Sequence, residues 1–388
     1  MMAEGAPLHI LYELNSVELG GMETHAADLA EGIAARGHRV SCALPRARFL
    51  DTLALRMEGH GIDTYRLSIQ VPGNLGETGQ AFRERVSLLR DLQPDVLHQH
   101  RTGPYHGKTG ILAAWLVGVQ AVAVSEHQPS YPLSGLARAA NAWCDRHIDR
   151  FVVVSEHDRA LQLRVTHRAP SRVITVHNGI DTERFRPAGP NELQATRQRL
   201  GVATDELLFG SVGRLDRQKG LGIALQAFHR ALPSLPKAKY MMLGDGPDRA
   251  SLSRLVEELG LHDHVGLLGY VKQPAPIIKA LDVLIMPSRW ESFGLAAAEA
   301  MAAERPVIAS KVGGLQELVQ ESIAGLLVEA GDVAGLAEAM VRLGSDAALR
   351  QRLGSQGRAR IVERFSQDRM VDQMLALYEE LMPRGARW

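Results

Sequence analysis

The chain has 388 residues, 45% apolar and 23% charged, an ordinary globular balance in a length too great for one compact core, so two domains are expected. Its 44 basic and 44 acidic side chains cancel, which argues against a general attraction to nucleic acid or acidic lipid. The apolar runs fall far short of the roughly twenty residues that span a bilayer. The start, MMAEGAPLHILYEL, lacks the charge and apolar stretch of a signal peptide, and two cysteines, Cys42 and Cys144, imply no disulfide framework. A cytoplasmic protein is expected.

In the first half, LHILYEL, HRVSCAL, DTYRL, DVLHQH, QAVAVSEH, RFVVVSE and RVITVHNG read as strands. They are short, apolar and without strict alternation, as strands covered on both faces are. Helical patterns separate them, for example ETHAADLAEGIAARG, where Ala27, Leu29, Ala30, Ile33 and Ala34 form an apolar stripe and Gly37 ends the helix. The segment 181–194, DTERFRPAGPNELQ, breaks this rhythm and reads as a linker. A second series follows: LLFGSVG, KYMMLGDG, VGLLGYV, LDVLIMPS, RPVIASKV and AGLLVEA, with helices starting near Lys219, Pro247, Pro274, Gly294, Leu315 and Asp332. Such alternation means βαβ units, hence an α/β fold with two parallel sheets and ligands at the carboxyl ends of the strands. The last stretch, FSQDRMVDQMLALYEELM, is an amphipathic helix with Met370, Met374, Leu377 and Leu381 on one side.

Four motifs carry chemistry. In residues 287–314, PSRWESFGLAAAEAMAAERPVIASKVGG, a strand ends, a loop carries Glu291, and a helix opens near Gly294 and carries Glu299. The amides of Phe293, Gly294 and Leu295 at that helix start suit phosphate or sugar hydroxyls, and Glu299 can accept from ribose hydroxyls. In GSVGRLDRQKGLGIALQAF, Arg214 and Lys219 meet at a loop–helix junction in the manner of a diphosphate site; a plain cationic surface loop is the bland alternative. In LGGMETHAADLA, Gly20-Gly21 allows close backbone approach to a ligand or marks a simple turn, and the absence of Gly-x-Gly-x-x-Gly disfavours a dinucleotide dehydrogenase. The fourth is a set of strand-end histidines, His98, His100 and His127. His98 and His100 face the same way, which also suits a metal, but no further ligand stands at metal spacing and there is no Asp-x-Asp, so no metal and no cofactor are expected.

Taken together, the Gly20-Gly21-Met22-Glu23 loop, GHRV from Gly37, DVLHQH, Asn178-Gly179-Ile180-Asp181, VGRLDRQKG, LGDGP, the Glu291–Glu299 pair and Val312-Gly313-Gly314 resemble the retaining glycosyltransferases of family four, with the GT-B fold. The resemblance covers nearly the whole chain. It implies two Rossmann-like parallel-sheet domains facing a deep cleft: an acceptor domain over 1–180, a linker at 181–194, a nucleotide-sugar domain over 195–365, and a helix at 366–388 crossing back. It implies transfer of a sugar from a UDP- or GDP-type donor to a carbohydrate, lipid or small-molecule acceptor, without metal. Arg214 and Lys219 are similar to the family's diphosphate pair, Glu299 to its ribose ligand, and Glu291 to its sugar ligand, with the Phe293, Gly294 and Leu295 amides beside it. Gly21 is similar to the glycine that meets the phosphate, and His127 to the histidine that orients the transferred sugar. His98 and His100 are assigned to the acceptor side. His177, where the family often has proline, departs from the pattern. Acceptor choice is expected from residues 46–80 and 101–135.

Two other enzymes, a sugar-nucleotide epimerase and a phosphorylase, share the double-domain plan; a pyridoxal absorbance would betray the latter. A non-catalytic sugar-nucleotide-binding subunit should lose Glu291, Glu299, Arg214 or Lys219, and this chain keeps all four. Arg46, Arg48 and Arg56 flank LDTLALRM and leave a peripheral membrane contact open, although acids balance bases up to residue 180 and favour solvated charge.

Overall fold

The computed structural model describes residues 6–16, 20–68, 75–103, 106–128, 135–166 and 168–382. Leu19 of the glycine-pair motif, parts of the two segments expected to choose the acceptor (69–74, 104–105 and 129–134), and residues 383–388 of the terminal segment lie outside the described residues. The chain forms two compact units, Met1–Gly179 with Gln367–Trp388, and Ile180–Ser366.

The first unit is built on a parallel sheet of seven strands: β1 (His9–Leu14), β2 (Arg39–Pro45), β3 (Asp63–Leu67), β4 (Val96–Arg101), β5 (Ala121–Glu126), β6 (Arg150–Val153) and β7 (Val173–Thr175). Their spatial order is β3-β2-β1-β4-β5-β6-β7, so the order reverses between β1 and β4. Every residue of β1, β4 and β5 is buried; β1 and β5 accordingly run largely apolar without alternation, whereas β4 buries His98, Gln99, His100 and Arg101. The twofold strand period then divides the side chains between two cores. Ile10, Tyr12 and Leu14 join the helix Gly21–Ala34 through Ala26, Leu29 and Ile33. Leu11 joins Leu97, Val122 and Ile111 on the opposite face.

The terminal helix Gln367–Leu381 completes the first of these cores with Met370, Val371, Met374, Leu377 and Tyr378. Its deepest polar contact is the Tyr378 hydroxyl, which lies 3.1 Å from the Tyr12 hydroxyl and also bonds His98 Nδ1. Outside, Arg36 pairs with Asp368 and Asp372, and Arg150 with Glu380; such exposed pairs contribute little beside the buried face.

The second unit holds a parallel sheet of six strands: β8 (Leu207–Val212), β9 (Ala238–Leu243), β10 (Val265–Gly269), β11 (Val283–Met286), β12 (Val307–Ser310) and β13 (Gly325–Val328). The order is β10-β9-β8-β11-β12-β13, again with one reversal, between β8 and β11. Phe209, Phe228 and Tyr240 pack edge to face or tilted in its core, and the Tyr240 hydroxyl is satisfied by Ser211 Oγ at 2.7 Å. The segment 181–194 is partly helical: Pro190 opens the helix Pro190–Arg199 from its first position, where a missing N–H does no harm. A long helix, Ala347–Arg364, is not anticipated by the pattern of the chain, because only Leu349, Leu353, Gly354, Gly357 and Ile361 are buried along it.

Tyr378→Phe removes the hydroxyl that serves both Tyr12 and His98 while keeping the ring in place. Urea denaturation should show a loss of about 1–3 kcal/mol, the usual consequence of leaving a buried polar atom unpaired. Unchanged stability would show that the hydroxyl does not anchor the terminal helix.

Candidate active site

In parallel α/β sheets ligands gather where the strand order reverses, outside the carboxyl ends of the strands. In the second unit that point lies between β8 and β11. The chain leaves β8 as Gly213-Arg214, turns, and presents Lys219; it leaves β11 as Pro287-Ser288 and presents Glu291. A small pocket lies there, lined by Ser211, Gly213, Arg214, Lys219, Met286 and Ser288 among others.

Lys219 Nζ and Glu291 Oε2, 72 positions apart in sequence, pair at 2.7 Å. Their side chains are only 20% and 12% exposed, so the pair is far less screened than a surface one. Ser288 Oγ donates to the same carboxylate oxygen at 3.3 Å. Asp216 caps the turn that delivers Lys219, accepting from the Lys219 amide. Arg214 is exposed, with its Nε 3.4 Å from Asp216 Oδ2.

The Glu291 loop is held by its backbone. Gly314 N donates to Glu291 O at 3.1 Å, and Gly313 sits at φ +48° where a Cβ would come within 1.8 Å of that carbonyl oxygen. Gly294 precedes the helix Leu295–Ala302 at φ +102°, with Leu315 filling the space a side chain would need. The Phe293 ring is buried against Phe365, centroids 5.7 Å apart, which turns the side chain into the core and leaves the backbone to serve the helix start. Glu299 is half-buried on the same helix.

In the first unit the reversal point lies between β1 and β4. The register sets Tyr12 against His98 and Leu14 against His100, so both histidines fall on the face covered by the terminal helix and by Gly21–Ala34. Gly21 is exposed at the first position of that helix, and Glu23 Oε2 accepts from Gly20 N at 2.8 Å. His98 and His100 stack, 4.5 Å between centroids. His100 Nδ1 lies 3.1 Å from His127 Nε2, and His25, from the helix, packs edge-on against His127 at 4.9 Å.

His98 and His100, assigned above to the acceptor side, stand differently in the structure. Both are fully buried, and His98 has its two nitrogens occupied by Tyr378 and by Ser125 Oγ, so His98 is a core residue. His127, partly exposed at the end of β5, is the histidine of the set that reaches the surface.

Two features of this region escaped the sequence reading. His25 lies four residues before Leu29 on the apolar stripe of its helix, and a polar ring in that stripe is the signal that marks it. Glu126, beside His127, is completely buried among Arg101, Arg168 and Gln162, with Arg168 also stacked 3.6 Å over the Phe151 ring. Burial pushes the Glu126 carboxyl up, but Arg168 and Arg101 outweigh it and hold it down at about 2.

Of the arginines considered for membrane contact, Arg56 pairs with Asp28 and Glu31 and Arg46 with Glu84, while Arg48 is exposed. Among the described residues no helix is long and apolar enough to cross a membrane.

Burial lowers His25 to about 4 and His98 to about 3, and lowers His100 and His127 well below 6.5. A histidine held neutral in the native core stabilises fully above its unfolded value near 6.5; below that the unfolded chain takes up protons that the core refuses. Glu126 acts later, its contribution present above about 4.5 and lost towards 2. Thermal stability should therefore fall between pH 7 and 5, by on the order of 1–2 kcal/mol per buried imidazole at pH 5. A melting temperature flat across that range would contradict the neutral cluster.

Residues 193–360 match the family model described as glycosyl transferases group 1, and residues 19–184 match that of glycosyltransferase family 4. An N-acetyl-alpha-D-glucosaminyl L-malate synthase of Bacillus anthracis is 26% identical over 94% of this chain and 95% of its own. An alpha-maltose-1-phosphate synthase of Mycolicibacterium smegmatis is 33% identical over 74% of this chain and 79% of its own. Among solved structures, Anabaena HepE in complex with UDP has a TM-score of 0.82 at 22% identity, over 96% of this chain and 100% of that one; the same protein is also known with UDP-glucose. The chain belongs to the family-four, group-one glycosyltransferases of the GT-B fold.

Proposed function

We propose that this glycosyltransferase moves a sugar from a UDP- or GDP-type nucleotide-diphosphate sugar to an acceptor hydroxyl, with retention of anomeric configuration and without a metal ion. The Lys219–Glu291 pair at the β8/β11 reversal carries the reading: it sets a cation suited to a diphosphate beside a carboxylate suited to sugar hydroxyls. The UDP and UDP-glucose bound by HepE and the alpha configuration carried in the names of both relatives support it. The unit Ile180–Ser366 takes the donor, and the unit Met1–Gly179 with the terminal helix takes the acceptor. The two cysteines, buried and unpaired, favour the reducing cytoplasm.

When the bond from the anomeric carbon to the diphosphate oxygen breaks, negative charge grows on the leaving group and positive character on the sugar. Lys219, Arg214, the Gly21 amide and the amides at the start of Leu295–Ala302 stabilise the former. Glu291 and the Phe293, Gly294 and Leu295 amides hold the sugar hydroxyls, and His127 orients the sugar. Glu299 holds the ribose. The acceptor oxygen forms its bond on the face the diphosphate leaves, and its proton passes to the departing phosphate oxygen.

Glu299→Ala should weaken both free nucleotide diphosphate and intact donor by about 1.5–3 kcal/mol, the value of a charge-assisted hydrogen bond. Glu291→Ala should behave differently: it frees Lys219 from its carboxylate, so free nucleotide diphosphate should bind as well or more tightly while turnover collapses. Calorimetry on both variants separates the two, and equal losses of nucleotide affinity would defeat the division of labour. Lys219→Ala should depress transfer severely with a normal melting curve. Full activity is expected in EDTA; activity lost on chelation and restored by one divalent ion would overturn the metal-free reading.

A further inference from the structure

His25, His100 and His127 come from three separate elements, the helix Gly21–Ala34 and the ends of β4 and β5, and each offers a ring nitrogen within 4.8 Å of the other two. His25 Nδ1 is buried with no hydrogen-bond partner, an arrangement that polar atoms in a core rarely keep. We propose that these three imidazoles form a binding site for one divalent transition-metal ion of the zinc type.

The donor set decides the class of ion. Three imidazoles and no carboxylate suit zinc, cobalt, nickel or copper, whereas magnesium and calcium require oxygen. The nearest acid in sequence, Glu126, is committed to Arg101 and Arg168. The 3.1 Å between His100 Nδ1 and His127 Nε2 fits two nitrogens each about 2.0–2.1 Å from a shared cation. The hydrogen that joins these rings moves to the outer nitrogen of the ring that carries it, so both present lone pairs without net loss of a proton. Burial holds the rings in the neutral form that ligates. His98, stacked on His100 and fixed by Tyr378 and Ser125, backs the site, and the partly exposed His127 provides its entrance. Occupancy removes the His127 nitrogen from the sugar, so the ion inhibits transfer; this consequence rests on the role given to His127 under Proposed function.

The test begins with full-length protein stripped by EDTA and titrated with zinc by calorimetry and with cobalt by visible absorption. One equivalent should bind, with a cobalt band typical of four or five coordination, and magnesium should not compete. His25→Asn and, at the less buried edge, His127→Ala should each weaken zinc at least about tenfold. No binding to the native chain, or binding unchanged in the folded variants, overturns the site. Zinc should also inhibit transfer at the concentrations that fill the site. Stoichiometric binding without inhibition upholds the metal site and refutes the placement of His127 at the sugar, whereas absent binding with normal transfer refutes the metal site alone.

Discussion

The parallel sheet constrains everything else in each unit. A strand covered on both faces has no wet side, so a polar side chain on it must find a partner or stand at the carboxyl end where the covering helices part. β4 shows the rule residue by residue. His98 is fixed by Tyr378 and Ser125, Gln99 donates to Glu13 at 2.7 Å, and Arg101 is paired with Glu126 at 2.6 Å. His100, pointing the same way as His98 but one step nearer the strand end, keeps a free nitrogen.

The same constraint explains what could be read directly from the residues. Most strands among the described residues, such as β5, β11 and β12, stand out as short apolar runs, because burial on both faces favours that composition. The helix Ala347–Arg364 does not, since close approach at Gly354 and Gly357 replaces an apolar stripe there. Lys219 and Glu291 are each legible as motif residues, but their contact depends on β8 lying beside β11, an ordering that no local pattern encodes. His98 misleads for the mirror-image reason: its place at a strand end looks like a site until the terminal helix, 280 positions later, lays Tyr378 over it. The Glu126 network is invisible for the same cause, joining Arg101, Gln162 and Arg168 from three segments.

That network shows how the fold tolerates a charge beside its histidines. A buried carboxylate is costly unless well paired and hydrogen-bonded, and Glu126 has two guanidiniums and an amide. With its charge fully committed, Glu126 contributes only weakly to raising the pKa of the adjacent His127, where burial and the neighbouring imidazoles prevail. The ion cluster thus fixes the end of β5 without turning the neighbouring ring into a cation.

Neutrality is then a property of both regions, reached by opposite means. In the second unit the cation of Lys219 is cancelled by Glu291, a pairing that the loops leaving β8 and β11 bring about. In the first unit the imidazoles carry no charge at all at pH 7, since burial keeps them unprotonated. In the role proposed for His127, an imidazolium would oppose positive character forming on the sugar, whereas a neutral ring can hydrogen-bond a hydroxyl without that penalty. Burial and the neighbouring rings of His25 and His98 thus hold the partly exposed His127 in its neutral form.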